Sequence, residues 1–158
     1  MRRKNGFTLI ELLIVVAIIG IIAAIAIPNL LNAIDRSKQK KTMAEMRSIG
    51  TACEEYSIDH SFYPNQSGTL TAFTTATIQT LEPNYIKKLP TMDGWRNILF
   101  YSNDVNGNGT ATGYTIESAG KDGVGQNTTD APGTTNDFDC NIIFMQGQFI
   151  AYPEGQQT

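Results

Sequence analysis

The 158-residue chain is poor in the side chains that most catalytic and metal centres use. It has one histidine, His60, and two cysteines, Cys53 and Cys140. No Walker A, GxGxxG or GxSxG string occurs, so the common phosphate-loop, dinucleotide and nucleophile-elbow sites have no motif to rest on. The two cysteines lack CxxC or zinc-type spacing. Cationic residues are also scarce, with 12 Lys and Arg against 15 Asp and Glu, for a net charge of −3 and a pI of about 5.1. Duplex nucleic-acid binders carry a basic domain, so that role is disfavoured. Charged residues make up only 17% and hydrophobic ones 41%, which separates the chain from charge-rich disordered sequences. This composition argues against most enzymes.

What is present is unevenly distributed. Residues 1–6 (MRRKNG) carry Arg2, Arg3 and Lys4 and no acid. Residues 12–27 (LLIVVAIIGIIAAIAI) carry no charge. From residue 61 onward only Lys87, Lys88, Arg96 and Lys121 are basic, against nine acids. The chain reads as a short basic head, an apolar helix and an acidic polar body.

As a helix, residues 7–27 span roughly 31 Å, enough for a bilayer hydrocarbon core. The run exceeds the usual signal-peptide core of about 7–15 residues, and no small-residue cleavage site follows it. A plain membrane anchor accounts for its hydropathy but not for Glu11. A carboxylate inside an apolar helix costs about 2.5–3.5 kcal/mol at mid-bilayer and less near the interface. Two readings of Glu11 stand: a snorkelling interfacial acid, or an acid paired with a cation from another chain. Charge does not settle orientation, because Arg36, Lys38, Lys40 and Lys41 follow the span and balance the basic head.

The string Gly6-Phe7-Thr8-Leu9-Ile10-Glu11, after a basic leader and before an apolar run that ends at Pro28, resembles the class III prepilin signal of type IV pilins and type II secretion pseudopilins. The resemblance implies a leader of residues 1–6, cleaved after Gly6 by a cytoplasm-facing prepilin peptidase, with N-methylation of Phe7. The basic N-terminal leader then faces the cytoplasm. The mature side chains would carry nine basic and fifteen acidic groups, net −6. It also implies that Glu11 neutralises the Phe7 amine of a neighbouring copy. Such a pair adds little raw stability, because desolvation offsets it, but it penalises wrong registers. Pro28 removes a backbone donor. It is read either as the end of the span or, in keeping with the family, as a point where the helix loosens within a filament.

Residues 29–60 read as the amphipathic half of the same helix, with Met46, Ile49, Cys53 and Tyr56 on one face at 3-4-3 spacing. Residues 61–158 read as a periplasmic globular head with a C-terminal loop and sheet. A short helix is expected within 69–81. Strands are expected at 97–102, 113–118, 140–145 and 148–152, the last two turning near Gln146-Gly147. The predicted fold is α+β and pilin-like: a long N-terminal helix, transmembrane in its first half (7–28), packed on a small antiparallel sheet of three or four strands. Trp95, Ile98, Phe100, Ile116, Ile142 and Phe144 are the expected cover.

Leu89-Pro90, Asp93-Gly94-Trp95, Tyr114-Thr115-Ile116-Glu117-Ser118 and Gly120-Lys121-Asp122-Gly123 are similar to segments of the major pseudopilins of type II secretion. Those proteins usually place glycine where this chain has Arg96, between Trp95 and Asn97. The resemblance implies a calcium-binding loop. Calcium takes six to eight hard oxygen ligands, and Asp122, Asp130, Asp137 and Asp139 lie in one Gly-rich stretch. Asp122 and Asp139, then Asp137, are the expected ligands, completed by carbonyls near Ser118; a solvated acidic loop is the alternative. Asp104-Val105-Asn106-Gly107 opens like an EF-hand loop, but Thr115 stands where the bidentate glutamate belongs, so a hairpin turn is expected instead. For Cys53 and Cys140, a helix-to-sheet disulfide and two buried thiols are equally compatible with an extracytoplasmic body.

The expected function is a structural, non-enzymatic subunit of a pseudopilus, a helical filament driving protein export by type II secretion. Its expected partners are further copies of itself through the N-terminal helices, a prepilin peptidase, an inner-membrane assembly platform and minor pseudopilins. Nucleic acid is not an expected partner. The expected location is the bacterial inner membrane, single-pass with the head in the periplasm, and then a filament. The alternative is a major type IV pilin of a surface filament for adhesion, motility or DNA uptake. A monotopic sensor or binding domain on a plain anchor is the outsider.

Overall fold

A computed structural model describes residues 6–66, 68–125 and 132–154. Arg2, Arg3, Lys4 and Asp130 therefore lie outside the described residues. The chain divides into two units, Met1–Ile34 and Asp35–Thr158.

The first unit is helical from Leu9 and belongs to α1, which runs Leu9–His60. Helix-forming Leu, Ile and Ala dominate it, and the single glycine of the run, Gly20, does not interrupt it. Pro28 lies inside α1, so it does not end the helix. The proline withdraws one intrahelical donor, and next to it the Asn29 side-chain amide donates to the Ile25 carbonyl at 3.2 Å. Among the described residues, nothing in this unit covers its apolar surface. Leu9, Ile10, Leu12, Leu13, Ile14, Val15, Val16 and the leucines and isoleucines that follow are all exposed.

The second unit is built on the remainder of α1. Met46, Ile49, Cys53 and Tyr56 are all buried, as their spacing predicts, and Asp35, Gln39 and Thr42 continue that face toward the N-terminus. After α1 come β1 (Thr71–Ala72), α2 (Thr75–Leu81), β2 (Leu99–Val105), β3 (Ala111–Ser118), β4 (Gly133–Thr135), β5 (Ile142–Met145) and β6 (Gln148–Pro153). Thr74 caps α2, its hydroxyl accepting from the Thr77 amide at 3.2 Å.

The sheet has six strands in the order β1-β2-β3-β5-β6-β4, two more than the upper sequence expectation. The additions are two- and three-residue strands at the edges, too short to show an alternating pattern. All pairings are antiparallel except β4 on β6. The loop after Asp104 is the hairpin turn of β2 and β3, with the Asn106 side chain accepting from the amides of Asn108 and Thr110. Leu99, Tyr101, Tyr114, Ile116, Ile142 and Phe144 close the core with the buried face of α1. Three corrections follow. Ile98 is 49% exposed rather than part of the cover. Phe100 is half-buried and outside the core cluster, its strand neighbours Leu99 and Tyr101 taking the core face. Trp95 is only half-buried and serves through its indole N–H.

Candidate functional site

At the start of the first unit, Gly6 and Phe7 are exposed and precede the helix. Glu11 Oε2 accepts from the Thr8 amide at 2.9 Å and from the Thr8 hydroxyl at 2.7 Å. The Glu11 amide donates back to Thr8 Oγ1 at 3.3 Å. This is a capping box, which satisfies donors that a helix start otherwise leaves open. The Thr8-x-x-Glu11 spacing is its sequence signature, and sequence reading aimed at Glu11 alone passes over it. Both local bonds fall on Oε2, so Oε1 stays outside the box. An acid so held can cap its own helix and still receive a second cation. Pro28 lies 17 residues further along α1 and makes no site with Glu11.

In the second unit the chemistry-bearing residues gather around the turn Asp93-Gly94-Trp95-Arg96-Asn97. Asp93 is buried, and its Oδ1 accepts from the amides of Trp95 (2.9 Å) and Asn97 (2.8 Å). Its Oδ2 accepts from the Ser118 hydroxyl at 2.8 Å. The Asn97 side-chain amide donates to the Gly120 carbonyl at 2.7 Å. On the helix side, the Gly94 amide donates to Thr42 Oγ1 at 2.9 Å, and Trp95 Nε1 donates to Asp35 Oδ1 at 3.1 Å. Lys121 Nζ lies 3.0 Å from Asp35 Oδ2. The turn thus ties α1, the end of β3 and the 120–125 loop together. Arg96 adopts φ 73°, the left-handed conformation that glycine takes freely.

Burial opposes ionisation of Asp35, but the hydrogen bonds from Lys121 and Trp95 and the ammonium charge outweigh it and hold the carboxyl below its usual range. The Asp35 hydrogen bond and charge push the Lys121 ammonium up, with Asp139 and Asp137 adding to the effect. Sequence reading missed Asp35. The available signal was that it is the only acid between Glu11 and Glu45, set in an otherwise basic neck.

The expected calcium ligands are only partly brought together. Ser118 is fully buried and its hydroxyl is committed to Asp93, whereas Asp122, Asp137 and Asp139 are exposed. Asp122 Oδ1 accepts from the Val124 amide at 2.9 Å, and Asp137 Oδ1 from the Asp139 amide at 3.1 Å, so each caps its own turn. Among the described residues, no three His, Cys, Asp or Glu side chains gather as a metal site. The donor chemistry is nevertheless hard. A side-chain carbon added at Gly120 (φ 68°) would meet the carbonyl oxygens of Cys140, Asp139 and Phe138 at 2.7–2.9 Å. These oxygens and the loop carboxylates fit calcium in kind.

Cys53 and Cys140 are thiols rather than a disulfide; Cys53 is buried as the thiol alternative expects, whereas Cys140 is half-buried. Burial pushes the Cys53 thiol up, which leaves it protonated and inert. His60 stacks on Tyr56 with ring centroids 4.1 Å apart, and its Nδ1 lies 3.1 Å from the Tyr56 carbonyl, a helix-end role.

Comparison with known proteins agrees with both halves of this arrangement. Residues 1–27 match the prokaryotic N-terminal methylation motif, and residues 29–137 match the family described as type II secretion system (T2SS), protein G. The chain is 34% identical over 128 residues to the type II secretion system core protein G of Vibrio cholerae, covering 78% of this chain and 86% of the relative. It is 31% identical over 135 residues to that of Pseudomonas aeruginosa, covering 82% and 94%. It is 32% identical over 127 residues to that of Escherichia coli K12, covering 77% and 84%. No solved structure gives a significant match. The chain belongs to the type II secretion system protein G family.

Proposed function

We propose that this chain is the major structural subunit of a pseudopilus, a helical filament of the type II secretion system whose growth helps drive protein export. Its work is mechanical rather than catalytic. The observation that carries this reading is the unburied apolar helix of the first unit, long and apolar enough to cross a membrane, with none of that stretch covered by the chain itself. An apolar surface of this size calls for a partner. Lipid serves while the subunit waits in the inner membrane, and copies of the same helix serve in the filament.

Exchanging lipid for identical helices replaces one apolar environment with another, so the hydrophobic effect gives little direction to assembly. A polar determinant supplies it. Cleavage by a prepilin peptidase after Gly6 removes residues 1–6 and creates an amine at Phe7, which is then methylated. The Glu11 carboxylate, with Oε2 held by Thr8, receives the Phe7 amine of the adjacent copy. A wrong axial register leaves both charges unpaired in an apolar setting, which costs far more than the pair gains. Pro28 marks where the helix loosens on incorporation. The domain order is then leader (1–6), transmembrane and filament-core helix (7–28), amphipathic helix half (29–60) and periplasmic head (61–158). An inner-membrane assembly platform and minor pseudopilins are the further partners. A calcium ion would be held by Asp122, Asp137 and Asp139 with backbone carbonyls and would order the loop that follows Gly120; assembly is not routed through it.

The names of the relatives favour the secretion role over the type IV pilin alternative. The test is deletion of the chain in its own host. Loss of protein export with surface adhesion and motility intact is expected. Intact export with loss of a long surface filament would return the reading to the pilin.

A further inference from the structure

Arg96 stands in a left-handed backbone position, with φ 73°. Such a position disfavours any residue with a Cβ, and glycine would occupy it without strain. Within the chain the residue's backbone only closes the turn, its amide donating to the Asp93 carbonyl at 3.1 Å. Its side chain is exposed and makes no ion pair among the described residues. Beside it, Met92 (53% exposed) and Ile98 (49% exposed) are joined by an isolated antiparallel bridge, so two large exposed apolar residues pair at the base of the turn that carries Arg96. A strained residue whose side chain does nothing inside the chain points to use outside it.

A complementary surface occurs on the same chain. On α1, Glu55 is exposed and Ile58 is 80% exposed, three residues apart and therefore neighbours on one helix face. Glu55 likewise makes no ion pair among the described residues. The Arg96 turn packs on α1 at Lys38 and Thr42, whereas Glu55 lies 13 residues beyond Thr42, about 20 Å along the helix. The two patches therefore do not serve each other within one copy. A contact between two different patches of identical chains is heterologous and propagates into an open helical polymer when it does not close into a ring.

We propose that the Arg96 turn, with Met92 and Ile98, docks on the Glu55–Ile58 face of α1 in a second copy of this chain, pairing the guanidinium with the Glu55 carboxylate. The inference rests on the filament reading and adds to it a head-to-head contact separate from Glu11. Charge complementarity and the matched apolar neighbours select a second copy as the partner.

The experiment uses the full chain, processed in membranes, with the yield of sedimentable polymer as the readout. Arg96→Glu and Glu55→Arg should each lower that yield about tenfold, because each sets like charges together. The double exchange should return it to within about twofold of wild type. Arg96→Gly controls for folding: it should raise the melting temperature of the detergent-solubilised chain, because strain is relieved, and still lower the polymer yield. Single variants that polymerise like the wild type, or a double exchange that recovers nothing, would overturn the contact. Failure of the wild type to polymerise would instead overturn the filament reading itself.

Discussion

Lys121 Nζ lies 3.0 Å from Asp35 Oδ2, joining the loop after β3 to α1 across 86 positions of sequence. Trp95 Nε1 reaches the other oxygen of the same carboxylate. Asp35 is therefore expected to matter more than either partner, since its removal leaves an indole N–H and an ammonium without their acceptor. Asp35→Ala should destabilise the head by about 1–3 kcal/mol, and Lys121→Met by under about 1 kcal/mol because the lysine side chain is half exposed. Thermal melts of the full chain in detergent measure both. The Asp35 carboxyl is depressed in the folded state, so its contribution is complete above the ordinary carboxylate pKa of about 3.9 and is lost as pH falls through the folded value. The Lys121 contribution is complete below about 10.4 and is lost as pH rises through the raised folded value. Asp35→Asn should flatten the acid limb.

Gly94 approaches α1 closely enough that a side-chain carbon there would meet the backbone of Lys38, with the carbonyl carbon at 2.8 Å. Helix backbone cannot step aside as a side chain can. Gly94→Ala should cost about 3 kcal/mol. Thr42→Val removes the hydroxyl that accepts from the Gly94 amide and donates to the Lys38 carbonyl, and should cost about 1–2 kcal/mol. Equal melting temperatures for the two variants would contradict the close approach.

Chelation tests the calcium proposal. If Asp122, Asp137 and Asp139 hold the ion, adding a chelator should lower the melting temperature of the full chain, and restoring calcium should reverse the change. Asp122→Asn should abolish the response to both. A melt insensitive to calcium would leave a solvated acidic loop.

The two thiols predict a redox-insensitive fold. Reductant should leave the melting temperature unchanged. A thiol reagent should label half-buried Cys140 before unfolding and buried Cys53 only after it. A drop in melting temperature on reduction would signal a disulfide.

The helix and the principal strands were legible because their signals are local. The apolar run, the Met46–Ile49–Cys53–Tyr56 spacing and the strand-forming residues of 113–118 each name their element without reference to the rest of the chain. The short edge strands β1 and β4 were not legible: β4 pairs in parallel with β6, and three residues carry no period of their own. Ile98 and Phe100 were misplaced because residues 98–101 are apolar in succession, so no alternation marks the inward face; Leu99 and Tyr101 take the core, and Ile98 and Phe100 fall on the other parity. The Asp35–Trp95–Lys121 cluster depends on three segments meeting, which no window of sequence contains. Glu11 was readable as an anomaly from hydropathy alone. Its partner Thr8 was equally available in the Thr-x-x-Glu spacing, because capping chemistry is local.

The central claim is that the apolar helix is covered by copies of itself, with Glu11 setting the register. The most direct measurement is the amount of sedimentable filament formed by the processed chain in membranes, wild type against Glu11→Ala. The account predicts filaments from the wild type, and an inserted, leader-cleaved but monomeric subunit from the variant. Filaments of Glu11→Ala at wild-type yield, or a processed wild type that stays monomeric, would contradict it.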